Sequence, residues 1–206
     1  MNVSVRGLGK KFDREWIFRG LTLDALPGQP VAVTGPNGSG KSTLLQVVCG
    51  QMPASEGTIS YQLSGKTLEA DAVFRHLTFA APYLELIEEF TLAELLRFHG
   101  RFKAFRHGLA PNGLIELMEL TPARDKPIRH FSSGMKQRVK LGLALYSEAH
   151  LVLLDEPTAN LDARGAAWYH QHVAQLPPDV ALLIASNQPN EYEFCERVVD
   201  ILDYKR

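Results

Sequence analysis

Long apolar runs are missing from this chain. The longest, Val180 to Ala185 and Leu151 to Leu154, are strand-sized and too short to cross a bilayer, which takes about 20 residues. Met1 to Lys11 carries no apolar stretch of signal-peptide character. Cysteine is scarce: Cys49 and Cys195 alone form no metal spacing and fit buried thiols in a reducing compartment. An excess of charge of one sign is also absent. Twenty-two Lys and Arg stand against 23 Asp and Glu, for a net charge of −1, with no basic run beyond the pair Lys10-Lys11. That balance lacks the electrostatic footprint of a nucleic-acid partner. The seven histidines are scattered, and His170 and His172 would not share a helix face. No repeat, linker or low-complexity segment is evident. These absences lead us to expect a soluble cytosolic polypeptide whose membrane role, if it has one, comes through a partner. With 206 residues, 45% of them hydrophobic, the chain can bury the core of one large α/β domain.

Against that background one stretch is densely informative. Gly35-Pro36-Asn37-Gly38-Ser39-Gly40-Lys41-Ser42-Thr43 satisfies G-x-x-x-x-G-K-[ST] at every fixed position. Val31 to Thr34 before it reads as a short buried strand, and Leu44 to Cys49 after it as the apolar face of a helix. Gly38 and Gly40, without Cβ atoms, let the backbone curl until its N–H groups face a phosphate chain. The following helix presents its positive end to the same anion. In this pattern Lys41 reaches the β and γ phosphates, and Ser42 offers its hydroxyl to Mg²⁺.

Around this loop the pattern alternates. Val3 to Val5, Trp16 to Phe18, Leu21 to Leu26 and Gly57 to Tyr61 suggest strands of an antiparallel N-terminal sheet, with His76 to Ala80 a further strand. Thr91 to Phe105 reads as a helix with a Thr91–Glu94 capping box; Leu114 to Leu120 and Ser133 to Tyr146 follow. Strands at Leu151 to Leu154, Ala181 to Ala185 and Val198 to Leu202 then alternate with helical stretches at Ala163 to Gln175 and Glu191 to Cys195. The fold class expected is α/β: a P-loop NTPase core, an antiparallel N-terminal β subdomain and a helical insertion over roughly 84–146.

Two more segments carry chemistry. Leu151 to Leu154 ends in Asp155-Glu156, and the carboxyl ends of parallel strands are where ligands sit in α/β sheets. One carboxylate there can hold Mg²⁺ through water and a second can deprotonate an attacking water. His130 to Arg138, reading HFSSGMKQR, opens a helix whose Val139, Gly142, Leu143 and Tyr146 share one face, with Ser132 or Ser133 as its N-cap.

In this order the three segments resemble the ATP-binding subunit of ABC transporters, over essentially the whole chain, 1–206, as a single ATP-binding domain. Gly35 to Thr43 match that family's Walker A, and Leu151 to Glu156 its Walker B with the catalytic glutamate. Phe131 to Met135 resemble the LSGGQ signature, here FSSGM, and Asn160-Leu161-Asp162 the D-loop. Phe12 falls where the family stacks an aromatic ring on adenine. The resemblance implies that ATP and Mg²⁺ are the cofactors and that Asp155 and Ser42 hold the metal. It also implies a head-to-tail pair with a second ATPase subunit, a homodimer by expectation, in which Ser132 and Gly134 complete the partner's site. A separate transmembrane permease would hold the pair on the inner face of the cell membrane.

The chain departs from that family at two places. Where a glutamine normally follows the strand at His76 to Ala80, the sequence is Ala80-Ala81-Pro82-Tyr83-Leu84-Glu85, and no glutamine occurs between Leu63 and Lys136. Where a histidine follows Ala181 to Ser186 stands Asn187, which can still hydrogen-bond a γ-phosphate oxygen but without charge. Losing charge assistance forfeits about 1 kcal/mol, a roughly 5- to 10-fold slower reaction, so slow rather than absent hydrolysis is expected. The rival reading is a nucleotide-gated binding subunit with little hydrolysis. A soluble ATPase acting on DNA or ribosomes would need a coiled-coil insertion or a tandem second domain, which this sequence lacks. Tyr83, Leu84, Ile87 and Phe90, among Glu85, Glu88 and Glu89, suggest either a solvated acidic loop or a groove for a basic amphipathic helix. Phe98, Phe102 and Phe105 repeat at helical spacing and suggest a packed face.

Overall fold

Apolar residues at alternate positions pair the first two segments into one long hairpin. In the computed structural model, which describes residues 1–205, β1 (Asn2–Phe12) and β2 (Glu15–Ala25) run antiparallel, with Val3 opposite Ala25 and Val5 opposite Leu23. The stretches expected as separate strands at Trp16 to Phe18 and Leu21 to Leu26 are therefore one. Gly20 (φ 73) takes left-handed backbone where the register slips between Leu8 and Lys10, and Gly7 (φ 57) does so where it slips between Val5 and Leu8 on β1. That slip moves the inward set from Val3 and Val5 to Leu8, so strict alternation breaks without the strand ending.

The core of the parallel sheet is built from apolar runs. The strands are β3 (Val31–Thr34), β6 (Leu77–Ala80), β7 (Leu151–Asp155), β8 (Ala181–Ala185) and β9 (Arg197–Asp200), in the spatial order β6-β7-β8-β3-β9. The β3–β8, β3–β9 and β7–β8 pairs are parallel, and every residue of β7 and β8 is buried, as strands covered on both faces require. The hairpin continues into a four-stranded antiparallel sheet with β4 (Glu56–Leu63) and β5 (Lys66–Leu68), in the order β2-β1-β4-β5. Gly57 to Tyr61 do rejoin the N-terminal sheet, as their alternation suggests. Helix α1 (Lys41–Val48) turns Leu44, Leu45, Val47 and Val48 inward and packs against β7 and β8.

Two compact units divide the chain: Met1–Phe79 with Ala149–Glu156 and Pro177 onward, and Ala80–Glu148 with Pro157–Leu176. Both sheets and α1 belong to the first unit. The second holds α2 (Leu92–His99), α3 (Pro111–Leu117), α4 (Ser133–Tyr146) and α5 (Ala163–Val173). The capping box at α2 is present: Glu94 N–H donates to Thr91 Oγ1 over 3.3 Å, and Thr91 N–H donates to Glu94 Oε2 over 2.8 Å. The helix stops at Gly100, short of the expected Phe105. Phe98, Phe102 and Phe105 therefore do not share a helix face. Phe105 is buried, whereas Phe98 is 39% and Phe102 76% exposed. Helix α3 starts earlier than Leu114, at Pro111, whose fixed φ suits a first turn. The stretch Glu191 to Cys195 is not helical: a short 3₁₀ turn, Pro189–Glu191, ends there. On α4 the buried set is Gln137, Val139, Leu141, Gly142, Ala144 and Leu145. Leu143 and Tyr146, expected inside, are only half-buried because the helix packs on two sides, against α3 and α5.

Two histidines of the second unit sit in dry surroundings. His99 Nε2 lies 2.8 Å from Ser147 Oγ, with its ring stacked on Phe105 at 5.7 Å. His172 meets the Tyr146 hydroxyl through Nδ1 and lies 4.4 Å from the Trp168 ring. Burial holds both pKa values below the ordinary 6.5; Lys103 adds to the effect on His99. The folded chain therefore holds these protons less tightly than the unfolded chain, which takes them up as pH falls through 6.5. Stability is full above that pH and falls as pH drops through 6.5, by at most about 1.4 kcal/mol per pH unit for each site. Urea denaturation at pH 7.5 and 5.5 should show this fall, and the His99→Gln/His172→Gln chain a shallower one.

Candidate functional site

The loop from β3 to α1 is shaped by three left-handed glycines. Gly35 has φ 139, Gly38 φ 76 and Gly40 φ 107. A Cβ on Gly35 would lie 2.8 Å from Ser39 Oγ and 2.9 Å from Ile201 Cγ2, and one on Gly40 would collide with Ile17. Space as well as φ thus demands glycine here. Ser39 N–H closes a turn onto Pro36 O over 3.1 Å. Lys41 is 4% exposed, and its ammonium donates to Gly35 O at 2.9 Å and Pro36 O at 3.2 Å, curling the loop around itself.

This cradle suits an anion. The first N–H groups of a helix have no partner within it. Gly40, as N-cap, brings no side chain to them, and no acidic residue sits in the first turn of α1 to offset the positive end of its dipole. Ser39 Oγ is buried and has no hydrogen-bond partner among the described residues. A buried hydroxyl of that kind calls for a polar ligand or water. Ser42 and Thr43, half-buried on the first turn of α1, add two more hydroxyls.

Parallel pairing brings other candidates to the same end of the sheet. Asp155, 1% exposed, ends β7 opposite Ala185, and Ala185 lies opposite Val33 of β3. Glu156 follows with φ 42, a left-handed conformation that costs a non-glycine residue about 1 kcal/mol. Its N–H still donates to Ala185 O over 2.8 Å. Beyond β8, Asn187 is exposed and its Nδ2 donates to Asn37 Oδ1 of the loop over 2.8 Å. Phe12, at the tip of the β1–β2 hairpin in the same unit, is 44% exposed, with the Lys10 ammonium 5.1 Å from its ring centroid. Gly35 to Thr43, Asp155, Glu156, Asn187 and Phe12 all belong to one compact unit.

Ser132 and Gly134 belong to the other unit. Ser132 caps α4, its Oγ accepting Met135 N–H at 3.2 Å. A Cβ on Gly134 would stand 2.9 Å from Asn160 O, so only glycine admits the Pro157 to Asp162 segment this close. Asn160 itself has φ 65, and Asp162 Oδ1 caps α5 by accepting Gly165 N–H at 2.7 Å. With Arg138 and Arg164 these residues line a cavity of about 460 Å³. Glu119 bridges both arginines, at 3.0 and 2.8 Å.

Gln137 escaped the sequence reading. It is 1% exposed and its Nε2 donates to Pro157 O over 2.9 Å, tying α4 to the residue after Glu156. The signal was available: Gln137 is a polar residue in register with Leu141 and Ala144 on the inward stripe of α4. The Asn37–Asn187 bond carried no such signal, because it joins residues 150 apart. The loop from Ala81 to Glu89 is more than a solvated acidic strip. The Lys140 ammonium donates to Pro82 O at 2.6 Å, Glu88 pairs with Lys136, and Tyr83, Leu84 and Ile87 line a groove of about 680 Å³ with these lysines.

Fold and loop together define a nucleotide-binding domain of the P-loop class. The family model for ABC transporters matches residues 18–159, and the chain belongs to that family. It is 34% identical over 173 residues to ATP-binding cassette sub-family A member 7 of Rattus norvegicus, covering 81% of this chain and 8% of that protein. It is 28% identical over 204 residues to the linearmycin resistance ATP-binding protein LnrL of Bacillus subtilis (strain 168), covering 95% of this chain and 65% of that one. The chain thus spans less than two thirds of either relative. Among solved structures, a putative ABC transporter ATP-binding protein from Pyrococcus furiosus superposes with TM-score 0.83 at 20% identity over 100% of both chains. A dimeric bacterial ABC transporter cassette does so with TM-score 0.80 at 21% identity, over 96% of this chain and 93% of that one. At these identities the likeness is one of fold.

Replacing Lys41 removes both the ammonium that curls the loop and the cation facing an anionic ligand. Lys41→Ala should lower affinity for ATP at least about tenfold, as loss of a charge-assisted contact implies. Calorimetric titration of the folded variant checks it.

Proposed function

We propose that residues 1–206 act as a single ATP-binding domain that binds and hydrolyses Mg·ATP, and that two copies associate around two nucleotides to drive a separate membrane permease. What supports this most is the β3–α1 loop. Its left-handed glycines, its buried lysine and an uncompensated helix end stand at the same end of the sheet as a carboxylate pair.

In this reading the amides of Gly35 to Thr43 and the Lys41 ammonium take the phosphates, and Phe12 offers its ring to adenine. Ser42 and Asp155 hold Mg²⁺, which when bound offsets the phosphate charge. Glu156 receives the proton of a water as its oxygen bonds to the γ-phosphorus, and the bond from that phosphorus to the bridging oxygen breaks. Ser132 and the amides opening α4 serve the nucleotide held by the neighbouring copy, a second use of a helix's positive end. The groove along Tyr83, Leu84 and Ile87 would take a helix of the permease, and the domain would then lie against the cytoplasmic face of the membrane. The family name and the dimeric cassette of like fold lend support to the pairing and the permease.

A second reading, nucleotide-gated assembly with very weak hydrolysis, is favoured by Asn187 and by the lack of a glutamine in Ala80 to Glu85. Phosphate release by the assembled complex separates the two. Hydrolysis roughly 5- to 10-fold below a site with a charged partner, yet above a Glu156→Gln control, is expected. Asn187→His should turn over no more slowly than the natural chain. No release above the Glu156→Gln background would leave only the binding reading. Gly134→Ala, which forces α4 and Asn160 apart, should keep nucleotide affinity and lose ATP-dependent pairing, seen by light scattering.

A further inference from the structure

We propose that Asn187 is a positioning residue that works through Asn37: the two side-chain amides form a clasp that holds the outer edge of the phosphate-binding loop. The inference rests on the nucleotide-binding reading of that loop and assigns Asn187 a contact other than the phosphate.

Both ends of the clasp are anchored. Asn187 Nδ2 donates to Asn37 Oδ1 over 2.8 Å, the first from the turn after β8 and the second from the turn after β3. These two strands are neighbours, with Val33 opposite Ala185. Behind Asn187, Ser186 N–H donates to Val33 O over 3.0 Å, extending the sheet by one rung toward the loop. The Ser186 hydroxyl donates to the Glu191 carboxylate, and both residues are fully buried. Gln188 N–H returns to Ser186 Oγ over 2.9 Å. The backbone on either side of Asn187 is thus tied down, and its side chain reaches Asn37 from a fixed base.

Asn37 needs such a tether. It lies between Pro36 and the left-handed Gly38 and is exposed. The hydrogen bond of Ser39 to Pro36 closes the turn around Asn37 but does not hold it to the sheet. An amide suits the task because neither partner titrates, so the clasp does not change with pH between 5 and 9. Pre-ordering the loop would show in binding, since the ordering cost is met before the ligand arrives.

The test is a double-mutant cycle on the full chain with Asn37→Ala, Asn187→Ala and the pair. Calorimetry measures Mg·ATP affinity, phosphate release measures turnover at saturation, and thermal unfolding is followed without nucleotide. Each single variant should weaken Mg·ATP binding about fivefold, and the double variant no further than about fivefold. Turnover at saturation should change no further in the double variant than in either single one. The melting temperature should drop by about 2 °C in each single variant and by the same amount in the double. Asn187→His, whose ring N–H can make the same bond, should retain natural affinity with Asn37 present and confer none of that benefit in Asn37→Ala. Multiplying effects in affinity and adding effects in melting would overturn the clasp. So would a loss of turnover with affinity unchanged, which would place Asn187 on the reacting phosphate. A natural chain that binds no Mg·ATP, with the melting cycle still non-additive, would defeat the nucleotide reading and leave the clasp standing.

Discussion

A chain that turns so tightly that side chains have no room must use glycine, and that constraint governs the first unit. Gly35, Gly38 and Gly40 supply positive φ, and the neighbours Ser39, Ile17 and Ile201 close in so far that no Cβ fits at Gly35 or Gly40. The loop is unstable by its own preferences. It persists because β3 is buried between β8 and β9 and α1 is pinned by Leu44, Leu45, Val47 and Val48. Lys41 then links the parts, its aliphatic stem buried and its ammonium returned to the carbonyls of Gly35 and Pro36.

Electrostatics in both units follow a common plan. Neither α1 nor α4 has an acidic residue in its first turn, so the positive ends of both helices stay unopposed by their own sequence. Elsewhere charge is spent locally. Glu119 takes Arg138 and Arg164, Glu88 takes Lys136, and Arg6 takes Asp24 at 2.7 Å. Surface pairs of this kind contribute little to stability. Their effect is to hold arginines and lysines in place beside the helix ends and the Ala81 to Glu89 loop.

Two side-chain amides join parts of the chain that local sequence keeps apart. Gln137 binds the carbonyl of Pro157, and Asn187 binds Asn37. Each spans two segments distant in sequence, and each reaches a residue next to one with left-handed backbone: Pro157 after Glu156, and Asn37 before Gly38. Strained backbone of this sort survives only where its surroundings over-determine it. The amides are part of those surroundings.

Much of this protein was legible before its structure. The P-loop needs its residues at fixed offsets along one stretch of chain, so Gly35 to Thr43 could be read directly. The apolar runs of β7 and β8 announced buried parallel strands, and Thr91 with Glu94 announced the start of α2. Local rules failed where local signals competed. A bulge at Gly20 imitated a strand break, Gly100 ended a helix whose aromatic spacing continued, and α4 buried two faces where periodicity shows one. What only the tertiary structure decided is which distant side chains meet. The neighbouring places of Thr34, Asp155 and Asn187 follow from the strand order β7-β8-β3, and the contacts of Asn187 with Asn37 and of Gln137 with Pro157 follow from packing. The physical reason is plain: a hydrogen bond acts over about 3 Å in space and leaves no trace at any fixed spacing along the chain.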